Sequence, residues 1–178
     1  GARPVFLNTT DKENFKITKE SLAKTITPRT KLLFMNSPGN PTGMVYTEKE
    51  LREIICFAVE RGLYVISDEI YEKILYDGVK HVSPATFSAE CYKTVITVNG
   101  FSKVYAMKGW RIGYAAGVEE SIKAATNIQD HTTSGANSVT QKAGVEALKG
   151  NQDSVNFMVK EFDKRRRYIV ERLNTIKG

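Results

Sequence analysis

Short unbroken apolar runs, separated by stretches of helical periodicity, constrain this chain more than any other feature. The runs are Pro4 to Leu7, Leu32 to Met35, Leu63 to Ile66, Val95 to Val98 and Ile112 to Val118. Apolar and polar residues do not alternate along them. A strand wetted on one face alternates, whereas a strand buried on both faces is continuously apolar, as in a parallel sheet packed between helices.

The intervening segments have helical signatures. Thr47-Glu48-Lys49-Glu50 has the form of a capping box, in which hydroxyl and carboxylate satisfy each other's end of a first turn. Leu51, Ile54, Ile55, Ala58 and Val59 follow at helical spacing, and Gly62 supplies a stop. Thr18 is a candidate cap for a helix through Ser21, Leu22 and Ile26, ahead of Pro28. Beyond residue 118 the pattern predicts helices over 119–130, over 138–149 and from about 152 to the end. Strands alternating with helices predict an α/β fold: a three-layer α/β/α sandwich with a mostly parallel sheet. The chain opens almost on a strand and closes within a helix, so we expect it to be the interior of a longer protein.

With 178 residues the chain can bury a core of one ordinary domain. No apolar stretch approaches the roughly 18 residues of a membrane span, and the N-terminus lacks a signal-peptide layout, so a cytoplasmic protein is expected. The net charge of +6 could suggest nucleic acid, but the cations are dispersed apart from Lys164-Arg165-Arg166-Arg167. That run falls in a helical pattern with Met158, Phe162, Ile169, Leu173 and Ile176 and reads as a solvated helix face. Neither a nucleic-acid nor a membrane partner is expected. Cys56 and Cys91 are too few for a disulfide framework and read as reduced, without a catalytic role.

In an open parallel sheet, ligands collect beyond the carboxyl ends of the strands. Three runs are followed there by chemically active residues. Asn36-Ser37-Pro38-Gly39-Asn40-Pro41-Thr42-Gly43 follows the second run, Ser67-Asp68-Glu69-Ile70-Tyr71 the third, and Asn99-Gly100-Phe101-Ser102-Lys103 the fourth, with Arg111 beyond. Each has an ordinary reading. Asn-Pro and Gly build turns, Asp68-Glu69 can cap a helix, Lys103 can lie on the surface, and Trp110 is expected in the core. Together, an amide, a carboxylate, a phenol, an amine and a guanidinium at one sheet edge fit the holding of pyridoxal 5′-phosphate. Its aldehyde needs an amine, its pyridine nitrogen a facing carboxylate, its phenolate oxygen donors, and its phosphate a guanidinium fork. No metal is called for.

The segments NSPGNPTG (36–43), SDEIYEK (67–73) and NGFSKVYAMKGWRIGY (99–114) resemble the three signature blocks of fold-type I, class I/II aminotransferases, with bacterial aspartate aminotransferase-like enzymes as the nearest relatives. The blocks stand in the family's order and intervals, and the resemblance extends over essentially the whole chain. It implies the major domain of the pyridoxal-phosphate-dependent transferase fold. Residues 1–150 would then form part of the large cofactor-binding domain, and 151–178 a long helix leading toward a C-terminal small domain.

The resemblance implies a role for each residue. Lys103 forms the internal aldimine and then shuttles the proton, and Asp68 pairs with the pyridinium nitrogen. Tyr71 and Asn40 hydrogen-bond the phenolate oxygen, and Arg111 holds the phosphate with Ser102. It further implies a ping-pong transfer of an amino group from an L-amino acid, with an aspartate-like donor favoured, to a 2-oxo acid by a homodimer. Pyridoxal-phosphate lyases, including C–S lyases, use the same constellation, as does the aminotransferase-like effector domain of winged-helix transcription regulators. The Asn-Pro-Thr-Gly form of the first block favours transamination. Gly100 stands where many relatives carry a serine, so the phosphate cup is expected to be one hydroxyl short. Lys108 replaces a common threonine or proline, and Ser134-Gly135-Ala136 replaces a Ser-Asn-Pro that approaches the partner subunit. The family's phosphate-binding helix start, ring-stacking aromatic and carboxylate-binding arginine are missing, so these 178 residues alone are expected to be inactive.

Overall fold

The structure, a computed structural model, describes residues 1–177. Four strands form one sheet: β1 (Leu32–Asn36), β2 (Tyr64–Asp68), β3 (Val95–Gly100) and β4 (Gly113–Ala116), in spatial order β1-β2-β3-β4. The first three are mutually parallel and β4 is antiparallel to β3. The change of direction follows from the connections, because a parallel neighbour needs a full crossover whereas an antiparallel one does not. Helix α2 (Glu48–Glu60) carries the chain from β1 to β2, and a 3-10 turn (Pro84–Thr86) with α3 (Ala89–Thr94) carries it from β2 to β3. Only residues 101–112 join β3 to β4.

Register places Leu33, Val65 and Val95 side by side, then Met35, Ser67 and Thr97. Onto this face packs α2, through Leu51, Ile54, Ile55 and Ala58, together with Cys91 of α3 and Leu22 of α1 (Lys19–Thr25). Ile55, Ala58 and Val65 have no measurable exposure, and burying a side chain such as Ile55 stabilises the fold by roughly 1.5–3 kcal/mol. The expected capping box forms: Thr47 Oγ1 accepts from Glu50 N–H (3.3 Å), and Glu50 Oε2 accepts from Thr47 N–H (2.7 Å). Gly62 ends the helix at φ +72°, and Thr18 caps α1 through Ser21 N–H.

The opposite sheet face carries Leu32, Phe34 and Tyr64, which are 47%, 62% and 52% exposed. The strands are thus apolar on both faces, as their continuous runs implied, but among the described residues only one face is covered along β1 and β2. Three more helices follow: α4 (Glu119–Thr132), α5 (Ser138–Lys149) and α6 (Asp153–Leu173). The first two agree closely with the predicted spans, whereas the last was expected to run to the end of the chain and instead stops at Leu173, with residues 174–177 outside the helix and residue 178 outside the described residues. Pro4 to Leu7 is not a strand. Val5 and Phe6 are 70% and 80% exposed, and among the described residues no strand pairs with the run. Among the described residues no helix is long and apolar enough to cross a membrane.

α6 buries only Val155, while Phe162, Ile169 and Leu173 of its apolar stripe stay open. Its basic run is not simply solvated. Arg166 and Arg167 both donate to Asp77 Oδ1 (2.9 Å each) and to Asp163, and the Arg166 guanidinium lies 4.7 Å from the centroid of the Tyr76 ring.

Candidate active site

The three parallel strands end at one level. Asn36 pairs with Asp68, and Asp68 with Val98. Beyond the ladder, Ser37 N–H and the Asn36 amide donate to the Asp68 carbonyl (3.2 and 3.1 Å), and Glu69 N–H donates to the Val98 carbonyl (2.8 Å). The three sequence blocks therefore emerge along one edge, in chain order.

The first block folds back on itself through Gly39 N–H to the Met44 carbonyl and Gly43 N–H to the Gly39 carbonyl, both 2.9 Å. Gly43 takes φ +70°, a conformation that favours glycine. Asn40 is tethered by its own N–H to Asn36 Oδ1 (3.0 Å), which directs its side chain toward the second block, with Nδ2 3.5 Å from Tyr71 Oη. Tyr71 sits in the turn after β2, half-buried, and Lys103 Nζ lies 5.8 Å from the centroid of its ring. An amide, a phenol and an amine from three separate blocks thus converge. Asp68 closes β2 half-buried, with Oδ1 held by Ile70 N–H (3.1 Å).

The turn bearing Lys103 is built on Phe101, which is 4% exposed and flanked by the rings of Tyr105 and Tyr114 at 5.7 Å each. Burial raises the Tyr114 phenol above its ordinary range, so it stays protonated. Phe101 N–H donates to the Ile112 carbonyl (3.5 Å), extending the Gly100–Gly113 pairing by one step. Ser102 and Arg111 consequently begin the two limbs of the connection together. Arg111 adopts φ 49° and donates from Nη1 to the Lys108 carbonyl (2.9 Å). Asn40, Tyr71 and Lys103 are brought together with Asp68 on the same edge, whereas among the described residues no hydrogen bond joins Ser102 or Arg111 to them.

Gly100 has a steric reason. A Cβ there would lie 3.1 Å from Ile70 Cδ1 and 3.3 Å from both Gly113 Cα and the Ile112 carbonyl oxygen. Trp110, expected in the core, is instead 47% exposed, because it lies in a 3-10 turn (Lys108–Trp110) at the rim of the connection. Cys56 and Cys91 are both free, and burial, with Cys91 nearby, pushes the Cys56 thiol upward, away from a reactive thiolate.

Two arrangements had no counterpart in the sequence reading. Lys73 Nζ donates to Tyr105 Oη (3.0 Å) and to Gln152 Oε1 (2.9 Å), tying the Tyr71 turn to the Lys103 turn and to the start of α6. Glu69 is buried with His81, Ser83 and Thr97 around its carboxylate. The partners lie far apart in sequence, and only the spacing of Lys73 and Tyr105 from Tyr71 and Lys103, two residues each, offered a hint. A cavity of about 410 Å³ opens beside Asn40 and Tyr71, walled by Leu75, Tyr76, Val79 and Arg166. Neither Lys103 nor Asp68 lines it, so it adjoins the converging groups without containing them.

The model of the family described as "Aminotransferase class I and II" matches residues 1–178. The chain is 47% identical over 178 residues to an aspartate aminotransferase of Bacillus sp. (strain YM-2) and 44% identical to that of Geobacillus stearothermophilus, covering all of this chain and 45% of each relative. The solved aspartate aminotransferase from Rhizobium meliloti superimposes with a TM-score of 0.95 at 40% identity, over 99% of this chain and 44% of that one. For the aromatic aminotransferase from Pyrococcus horikoshii OT3 the TM-score is 0.94 at 40% identity, over 98% and 47%. The chain thus spans less than half the length of these relatives. The α/β fold expected from the sequence blocks is the one these enzymes share with it over nearly every residue. A family model matched from end to end, and relatives alike in both sequence and fold, establish that this chain belongs to the class I and II aminotransferases.

Proposed function

We propose that the protein carrying this chain binds pyridoxal 5′-phosphate beyond β1–β3 and transfers an amino group from an L-amino acid, with an aspartate-like donor favoured, to a 2-oxo acid. The observation that carries this reading is that Tyr71 meets Asn40 Nδ2 at its hydroxyl and Lys103 Nζ over its ring, three separate blocks joined at the edge where Asp68 ends β2. The donor set fits the cofactor. A primary amine suits its aldehyde, a carboxylate its ring nitrogen, and a phenol with an amide its phenolate oxygen. Ser102 and Arg111, opposite each other where the β3–β4 connection begins, would hold its phosphate.

Bound there, pyridoxal phosphate supplies an aldehyde that condenses with amines and a ring that stores the electron pair left when an α-proton departs. Within that chemistry Lys103 Nζ is the amine that would hold the aldehyde and, when free, the base that would move the substrate's α-proton. Asp68 would face the ring nitrogen and favour its protonation. Asn40 and Tyr71 would hold the phenolate oxygen. Two half-reactions at one site make the kinetics ping-pong.

The aspartate-like donor rests on relatives such as those of Bacillus sp. YM-2 and Geobacillus stearothermophilus, which are named aspartate aminotransferases. We further propose that residues 1–150 belong to the cofactor-binding domain and that α6 leads out of it toward a small domain, which fits its single buried residue and open apolar stripe. A homodimer in the cytoplasm completes the proposal. Initial rates of the full-length protein, measured with L-aspartate and 2-oxoglutarate at several fixed donor concentrations, should give parallel double-reciprocal lines. Intersecting lines would refute the ping-pong scheme, and turnover of an aromatic donor without aspartate would refute the donor preference.

A further inference from the structure

Glu69 is 2% exposed, in the second block, and the chemistry proposed above gives it no task. Helix capping, its ordinary sequence reading, is not its role, because a turn over residues 70–73, and not an α-helix, directly follows it. A buried carboxyl group is costly unless it is fully partnered. Here the partners come from two other segments. His81 Nε2 lies 2.6 Å from Oε2, Ser83 Oγ donates to Oε1 (2.8 Å), and Thr97 Oγ1 of β3 reaches Oε1 at 3.4 Å. Glu72 also stands near enough to Glu69 and His81 for the three to resemble a metal-ligand group. The carboxylate is already engaged at both oxygens by protein groups, so no cation is needed to explain it.

The strand pleat links Glu69 to its neighbour. Side chains alternate across a sheet, and a shift of one residue reverses every one of them. Ser67 pairs with Thr97 on the helix-covered face, and Glu69 continues along that face into the layer between the sheet and the 81–83 segment. Asp68, between them, must project to the other face. The ladder ends at this point, so backbone pairing alone fixes the alternation only through Glu69 N–H to the Val98 carbonyl (2.8 Å). We propose that Glu69 is a positioning residue for Asp68. Its buried contacts with His81, Ser83 and Thr97 lock the end of β2, so that the Asp68 carboxylate is presented at the sheet edge toward the cofactor's ring nitrogen. The inference rests on the cofactor reading above and adds to it a named support for one of its groups.

The test compares Glu69→Leu, Glu69→Gln and Ser83→Ala in the full-length protein, reading the pyridoxal-phosphate dissociation constant, the pH midpoint of the Lys103-dependent absorption band and the melting temperature of the apo protein. Glutamine keeps the shape and can still accept from Ser83 and donate to a neutral His81 ring nitrogen, so Glu69→Gln should bind cofactor within about threefold of wild type. Glu69→Leu should bind about tenfold more weakly, a change of about 1.4 kcal/mol. Its absorption midpoint should move upward, because a ring nitrogen without a facing carboxylate loses its proton, and the lost positive charge no longer disfavours protonation nearby. Ser83→Ala, which removes one contact and leaves the core filled, should weaken binding about threefold with the same upward drift and keeps the test open if Glu69→Leu does not fold. If the variants lower the melting temperature but leave the midpoint and cofactor affinity at wild-type values, Glu69 is structural only and the proposal is wrong. A wild-type protein with no Lys103-dependent band would instead overturn the cofactor reading beneath it.

Discussion

Two glycines four residues apart, Gly109 in the β3–β4 connection and Gly113 at the start of β4, should respond differently to the same change. A Cβ added at Gly113 would lie 2.9 Å from the Asn99 carbonyl oxygen, about half an ångström inside ordinary contact. That oxygen belongs to the backbone of the paired strand, so β4 itself would have to move away from β3. The hydrogen bond from Phe101 N–H to the Ile112 carbonyl is already 3.5 Å and would not survive such a displacement. Overpacking and one lost backbone bond together cost about 2–4 kcal/mol. At Gly109 a Cβ would meet nothing within 4 Å, and Gly109→Ala should stay within about 0.5 kcal/mol of wild type. In the full-length protein, Gly113→Ala should therefore melt roughly 2–5 °C lower than Gly109→Ala. It should also bind pyridoxal phosphate less tightly, since Lys103 and Arg111 stand on the displaced connection. Equal melting temperatures and equal cofactor affinities for the two variants would refute the steric argument.

Other expectations follow from the same geometry. Asp77 is held below the usual carboxylate range by hydrogen bonds and charge from Arg166, with Arg167 adding to it, and Asp163 is lowered by Arg167 and Arg166. A depressed folded-state pKa stabilises above the unfolded value and is lost as pH falls through the folded one. Hydrogen-exchange protection, taken relative to the intrinsic rate at each pH, should thus fall together in α6 and in residues 76–79 below about pH 4, and Asp77→Asn should abolish the coupling at neutral pH. Thr47→Ala removes the hydroxyl half of the capping box on α2, leaving the backbone N–H to Glu50 in place, and should cost about 1 kcal/mol in denaturant unfolding. Tyr71→Phe keeps the ring beneath Lys103 but deletes the hydroxyl beside Asn40, so equilibrium dialysis should show cofactor binding weakened by about 1 kcal/mol with the melting temperature of the apo protein unchanged.

The strands β1, β2 and β3 were legible because short continuous apolar runs bounded by polar segments suit strands buried on both faces, and α2 because its cap and stop are both local. Pro4 to Leu7 has the same composition, yet a strand also needs an edge to pair with, and none is offered among the described residues. The convergence of Asn40, Tyr71 and Lys103 was anticipated through block order and the strand-end rule, without any knowledge of distance. What stayed hidden was long-range and polar. The roles of Glu69 and Arg166 depend on His81, Ser83, Thr97 and Asp77, which no periodicity connects to them. Gly100 read as a missing hydroxyl, whereas the crowding of Ile70, Ile112 and Gly113 shows why that position is small. Trp110 was misplaced because size and apolarity predict burial only on average.

The central claim is that Lys103 is the residue to which the cofactor's aldehyde attaches. Titrating the full-length protein with pyridoxal phosphate while recording its absorbance spectrum tests this most directly. The account predicts a band near the visible that saturates with one cofactor per chain in the wild type and is absent from Lys103→Ala, which should otherwise fold normally. The same band in Lys103→Ala at wild-type intensity would contradict it.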